Sequence, residues 1–119
     1  MYERKIPEML DCGLSVAVKV VGGKWKAWIM DCIRRGIKRP SALQRELAEV
    51  NPRIVSMQLK ELEDLGIIRK EIYAEIPARV EYSFTPTGES LLPVLDVLEK
   101  WGTDNREEVL KNTLELSEN

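Results

Sequence analysis

Arg53, Ser56, Met57 and Lys60 recur at i, i+3, i+4 and i+7, the spacing that lines up one side of an α-helix. Between them they offer a guanidinium fork, a hydroxyl, a thioether and an ammonium. These are the groups that read a nucleic-acid groove. Arginine can donate to O6 and N7 of guanine, serine can bond to either kind of base-edge partner, and methionine can touch a thymine methyl. Lysine, a turn further on, suits a phosphate. Ser41, Arg45 and Asn51 upstream and Arg69, Lys70 and Arg79 downstream extend the candidate DNA-binding set.

Other chemistries are poorly supplied. The chain has no histidine, so Ser-His-Asp and Cys-His systems, imidazole metal ligands and histidine pH switching near neutrality are excluded. Cys12 and Cys32, the only thiols, cannot complete a four-ligand structural zinc site or a disulfide framework. Gly22-Gly23-Lys24 is not a phosphate loop, because Val18 stands where Walker A needs its first glycine and Trp25 where it needs Ser or Thr. There is no G-x-G-x-x-G and no G-x-S-x-G. Neither enzyme, metal nor cofactor is expected.

With 18 Lys plus Arg against 20 Asp plus Glu, the net charge of -2 argues against a nucleic-acid partner at first sight. Counted by region, the picture changes. Residues 1–23 balance at three bases and three acids, 24–79 carry twelve bases against eight acids, and 80–119 carry three bases against nine acids. A +4 segment containing the candidate contacts is thus set against a -6 terminal region.

The elements that must position these groups follow from periodicity and punctuation. The 119 residues, 44% hydrophobic, suit one domain with one core. The start, Met1-Tyr2-Glu3-Arg4-Lys5-Ile6-Pro7, lacks the apolar stretch of a signal peptide, and no run approaches 18 apolar residues, so a cytoplasmic protein is expected. An apolar first helix is expected at about 9–22, closed by Gly22-Gly23. From Lys24, the residues Trp25, Trp28, Ile29, Cys32 and Ile33 share one helical face, and Gly36 ends that helix. Ser41 with Gln44 has the form of a capping box, predicting a short helix over about 42–49 with Leu43 and Leu47 inward.

Asn51 as N-cap and Pro52 in the first helical position start a further helix that stops at Gly66. Val55, Leu59, Leu62, Gln58, Leu65 and Ile54 form its buried arc, with Ile54 farthest from Val55 on the wheel. Ile67–Tyr73 and Arg79–Phe84 read as a β-hairpin, with Val80, Tyr82 and Phe84 on one face. Thr85-Pro86 opens a long helix through Leu91, Leu92, Leu95, Leu98 and Trp101, and another is expected at about 104–116.

Two short helices across a tight break, the second with a polar and basic outer face, followed by a hairpin, make a winged helix-turn-helix of order αααββα. The fold class is α+β and mostly α. Its second helix would enter the major groove while the preceding one crosses the backbone. The bland alternatives are a solvated helix face for Arg53, Ser56, Met57 and Lys60, and cross-hairpin pairing of Arg69, Lys70 and Arg79 with Glu71 and Glu81. Trp25, Trp28 and Trp101 read as core before they read as an effector pocket.

Gly22-Gly23-Lys24-Trp25, Leu59-Lys60-Glu61-Leu62-Glu63-Asp64-Leu65-Gly66 and the wing segment from Pro77 to Gly88 resemble the hallmarks of the HxlR-type winged-helix regulators, relatives of the MarR group. The resemblance spans about Cys12–Gly102. Pro40, where an aromatic is usual, and Gly13, where a proline is usual, depart from the pattern. It implies a transcription regulator, expected to be a repressor, that binds an inverted repeat in double-stranded DNA as a homodimer. Residues 24–101 would be the winged-helix core of a single 1–119 domain, and the helices at about 9–22 and 104–116 would dimerise. Some members use the cysteine matching Cys12 to sense oxidants or electrophiles, so Cys12 is the candidate redox sensor, and a small-molecule or oxidant effector enters the expected partners. The alternative function is a winged-helix protein-interaction module without DNA binding, suggested by the acidic C-terminal third.

Overall fold

A computed structural model describes residues 12–118, with side chains through 113. Among the described residues the order is α1 (Gly13–Val21), α2 (Lys26–Arg34), α3 (Pro40–Glu46), α4 (Pro52–Asp64), β1 (Ile68–Tyr73), β2 (Arg79–Phe84) and α5 (Pro86–Glu118). This is the expected winged helix-turn-helix, with a longer C-terminal helix than the sequence suggests.

The core gathers where the apolar arcs of α2, α3 and α4 meet the base of the hairpin. Ile29, Met30, Cys32 and Ile33 from α2 close on Leu43, Leu47, Val55, Leu59, Leu62 and Ile68, with Leu95 of α5 alongside. Periodicity misplaces two residues of α2: Met30 is fully buried, whereas Trp28 is half exposed and lies against Trp25, ring centroids 5.4 Å apart.

α4 forms as its ends dictate. The Asn51 carboxamide oxygen accepts the Arg53 backbone N–H at 2.8 Å, satisfying one of the four amides that a helix start leaves without partners. The chain leaves the helix at Gly66, whose φ of 75° is a conformation that favours glycine. Lys26, buried in α2, reaches Glu61 at 2.5 Å and ties α2 to α4.

The hairpin is antiparallel, in register from Ile68↔Phe84 to Tyr73↔Arg79. Ile68 and Tyr82 are buried at its base, and the Tyr82 N–H donates to the Lys38 carbonyl at 2.9 Å, hooking the wing to the segment between α2 and α3.

Three boundaries differ from expectation. α3 begins at Pro40 with Arg39 as N-cap and no side-chain cap, so the Ser41 capping box does not form; proline's fixed φ starts the helix one residue ahead of it. The helix over 42–49 accordingly ends at Glu46, although Leu43, Leu47 and Val50 are buried. The two C-terminal helices are one: α5 runs unbroken through Gly102, helped by Lys100–Asp104 at 2.8 Å and by the Asn105 amide donating to the Trp101 carbonyl at 2.9 Å. Of the expected 9–22 helix, residues 9–11 lie outside the described residues, and the described helix starts only at Gly13, because Cys12 is extended and serves as its N-cap.

Candidate nucleic-acid interface

The outward side of α4 carries the first four candidates. Arg53, Ser56, Met57 and Lys60 are exposed, opposite the buried Val55, Leu59 and Leu62. Ile54, expected in the buried arc but farthest from its centre, is exposed instead, and Gln58 and Leu65 are only partly covered. The Arg53 guanidinium has no ion pair among the described residues, so its five donors are available to an acceptor on a ligand. Lys60 is instead engaged by Asp64 at 2.9 Å, one turn on, which holds its ammonium above the ordinary value. Both groups are largely exposed, and an exposed pair of this kind is readily exchanged. Asn51 is exposed, but its side-chain oxygen is occupied as the cap of α4.

On α3, Ser41 and Arg45 are exposed, and Arg45 has no ion pair among the described residues. Lys38 and Arg39, just before α3, are exposed as well. Neither belongs to the candidate set read from the sequence, although the basic pair before Pro40 is a visible signal. Exposed cations therefore line α4, α3 and the turn that leads into α3.

The wing is less free than its sequence suggests. Arg79 is half-buried, 2.8 Å from Glu75 and 2.6 Å from Glu81, with its guanidinium 4.0 Å from the centre of the Tyr73 ring. Arg39 approaches Glu81 at 3.9 Å. Arg69 lies 3.7 Å from Glu71 on its own strand. The ion pairs of Arg69 and Arg79 run along a strand or across the loop, not to an opposing carboxylate; the residue opposite Arg79 is Tyr73, whose ring it covers. The register explains why: Glu71 faces Glu81 directly, an unfavourable like-charge pair, and each carboxylate recruits an arginine to offset it. Ser83 helps by donating to Glu71 at 2.8 Å, which, with the nearby Arg69, keeps that carboxyl below its ordinary value. Lys70 is exposed, with no ion pair among the described residues.

Away from this face, Cys12 is exposed at the N-cap of α1, where the Ser15 and Leu14 amides and the Ser15 hydroxyl hold its thiol below the ordinary value. Cys32 is fully buried, as its place on the α2 stripe predicts, and burial pushes its thiol up. Among the described residues no cluster of His, Cys, Asp and Glu could hold a metal ion, and no helix is long and apolar enough to cross a membrane.

The profile of the HxlR-like helix-turn-helix family matches residues 20–110. An uncharacterized HTH-type transcriptional regulator of Methanothermobacter thermautotrophicus is 41% identical over 91 residues, covering 76% of this chain and 70% of its own. The uncharacterized HTH-type transcriptional regulator YybR of Bacillus subtilis is 35% identical over 109 residues, 90% of this chain and 87% of its own. Among solved structures, the redox regulator HypR in its reduced form superposes with a TM-score of 0.77 at 34% identity, covering 82% of this chain and 97% of that one. Its oxidized form superposes with a TM-score of 0.73 at 35% identity, covering 79% and 97%.

Proposed function

The chain belongs to the HxlR-like helix-turn-helix family, a family of transcription regulators and not of enzymes, and from that premise we propose a homodimeric repressor that reads an inverted-repeat operator with α4. The observation that carries the reading is the exposed row Arg53, Ser56, Met57 and Lys60 on a capped helix, with an unpaired guanidinium at the end that enters the groove first. Arg53 reads a guanine edge, Ser56 and Met57 the neighbouring bases, and Lys60 exchanges Asp64 for a phosphate. Ser41, Arg45, Asn51, Arg69, Lys70 and Arg79 complete the proposed contact set. Arg45 and Lys70 are the readiest for phosphate, while Arg79 has to leave Glu75 and Glu81 to join.

Dimerisation is supported by apolar side chains that a single chain leaves uncovered: Leu14, Val16 and Val18 on α1, and Leu98, Trp101 and Val109 on α5. A row of this kind along two helices suits a second copy. For the signal, the similarity to a redox regulator and the lowered thiol of the exposed Cys12 support Cys12 as an oxidant- or electrophile-responsive group.

Selection from a random-sequence duplex pool, followed by gel shifts, tests the reading. Wild type should enrich an inverted repeat and bind it with a log-log salt slope near -0.9 per phosphate neutralised. Arg53→Ala should cost about 1–3 kcal/mol and relax specificity at one base pair of each half-site, whereas Lys60→Ala should mainly flatten the salt slope. Unchanged affinity in both variants would remove α4 from the interface. Stoichiometric capture of one protein with no retention on DNA would favour an interaction module. A Cys12→Ser protein whose DNA affinity still responds to mild oxidant would remove Cys12 from the signal.

A further inference from the structure

Two anchors fix the direction in which α5 leaves the reading head. The first is at its start: the Thr85 hydroxyl donates to the Gly66 carbonyl at 2.6 Å and accepts the Gly88 N–H at 3.0 Å, and Gly88 packs so closely on the Ile67 carbonyl that a Cβ there would lie 2.0 Å from the oxygen. The second is Arg34, the last residue of α2. Its guanidinium reaches Asp96 at 2.5 Å and Glu99 at 3.8 Å on α5, braced by Asp31 at 2.9 Å on its own helix.

Pro93 lies between the anchors. It has no N–H to give the Glu89 carbonyl, so the ladder of α5 lacks a bond at that point, which is where a helix bends most readily. Beyond Leu95, the last buried residue of α5, the described side chains are exposed apart from the partly covered Asn105. Core packing therefore follows the arm only as far as Leu95, two residues past the weak point, and Arg34 grips the next turn through Asp96 and Glu99.

We propose that Arg34 fixes the angle between α5 and the reading head, and through it the spacing of the two half-sites that the dimer accepts; this rests on the dimeric DNA-binding reading above. The lever is long. From Pro93 to Glu118 the arm extends roughly 37 Å at 1.5 Å per residue, so a tilt of about 5° moves its far end by roughly 3 Å, close to the rise of one base pair. Asp96 and Glu99 are mostly exposed, and ion pairs with such groups add little to folding stability. What the clamp controls is geometry.

The test uses the repeat selected by wild type, with single base pairs inserted or removed between its half-sites. One pair rotates a half-site by roughly 35°, so wild type should lose about tenfold or more in affinity, while Arg34→Ala and the double variant Asp96→Asn/Glu99→Gln should vary by no more than about threefold across the same series. Arg34→Lys should lie between them. All variants should keep the wild-type dimer mass; Asp96→Asn/Glu99→Gln should keep its unfolding midpoint, and Arg34→Ala should lower it no further than loss of the Asp31 bond does.

A DNA-independent arm reads the angle directly. Spin labels at Ala48→Cys and Asn112→Cys, in a Cys12→Ser background that leaves the fully buried Cys32 in place, report the distance from reading head to arm in labelled protein diluted with unlabelled. Its distribution should broaden in both clamp variants. An unchanged width, or spacing profiles as sharp as wild type in both variants, overturns the proposal. Wild type that selects no inverted repeat refutes the functional reading instead, and the width of the distance distribution then decides the clamp.

Discussion

Cys12 caps α1, whose first turn leaves its amides without helical partners, and the nearby Ser15 and Leu14 amides lower its thiol although no cap hydrogen bond closes on the sulfur. An anion is favoured at that place, so the thiolate forms at lower pH than in a free thiol. Alkylation by iodoacetamide, followed by intact mass against pH, should give a midpoint below the ordinary 9.0, with Cys32 unmodified until the protein unfolds. A midpoint at or above 9.0 would show that the helix start does not activate the thiol. Asp31 offers a second titration. Its hydrogen bond from Arg34 holds its carboxyl below the ordinary 3.8. A depressed carboxyl contributes stability above its unfolded value and loses it as pH falls through the folded one. In urea unfolding, Asp31→Asn should therefore be less stable than wild type at neutral pH, with the gap closing as pH falls below 3.8. At this scale the sequence shows which residue types are present but not which are free. Arg53 and Arg79 are equal on paper, yet one is unpaired and the other is held by two carboxylates and a tyrosine ring. That difference depends on the Glu71–Glu81 register, which no local pattern displays.

Elements were legible where chemistry at their ends is strict. Asn51-Pro52 and Gly66 bound α4 to within a residue, and the alternation of Val80, Tyr82 and Phe84 placed the wing. Errors arose where two local signals competed. Pro40 outweighed the Ser41 cap, and Gly102-Thr103-Asp104, which looks like a stop followed by a start, was carried through by bonds four residues apart along the same helix. Gly88 stands in the first turn of α5, and its importance is a close approach across the fold that sequence spacing does not register. An alanine methyl there would meet the Ile67 carbonyl, which is backbone and cannot swing aside. Gly88→Ala should therefore cost about 1–3 kcal/mol in denaturant unfolding, the usual cost of overpacking, and more than Gly102→Ala, where nothing lies within 4 Å. Equal effects at the two glycines would mean that the junction between wing and α5 is soft.

For the whole molecule, the net charge of -2 is compatible with DNA binding only because the charges are segregated, with the basic excess in the reading head and wing and the acidic excess towards the arm. A +4 excess is modest for a protein meant to hold DNA by phosphate contacts alone. In the proposed dimer the affinity comes largely from two heads acting together, where binding of the first half-site presents the second at an effective concentration set by the connection between them. The proposed dimer would make the uncovered row on α5 essential to DNA binding although it lies away from α4. Leu98 and Trp101 are 48% and 60% exposed in the single chain, so replacing both with glutamate leaves the core of the reading head untouched. Leu98→Glu/Trp101→Glu should sediment as a monomer with wild-type helix content. It should bind a single half-site as wild type does, and lose about 100-fold or more on the complete inverted repeat, the gain that linkage typically supplies. A variant that stays dimeric with full affinity would assign this face to another partner and move the dimer contact elsewhere. A monomer that keeps full affinity would mean that one reading head suffices, and that the symmetry of the operator plays no part in its recognition.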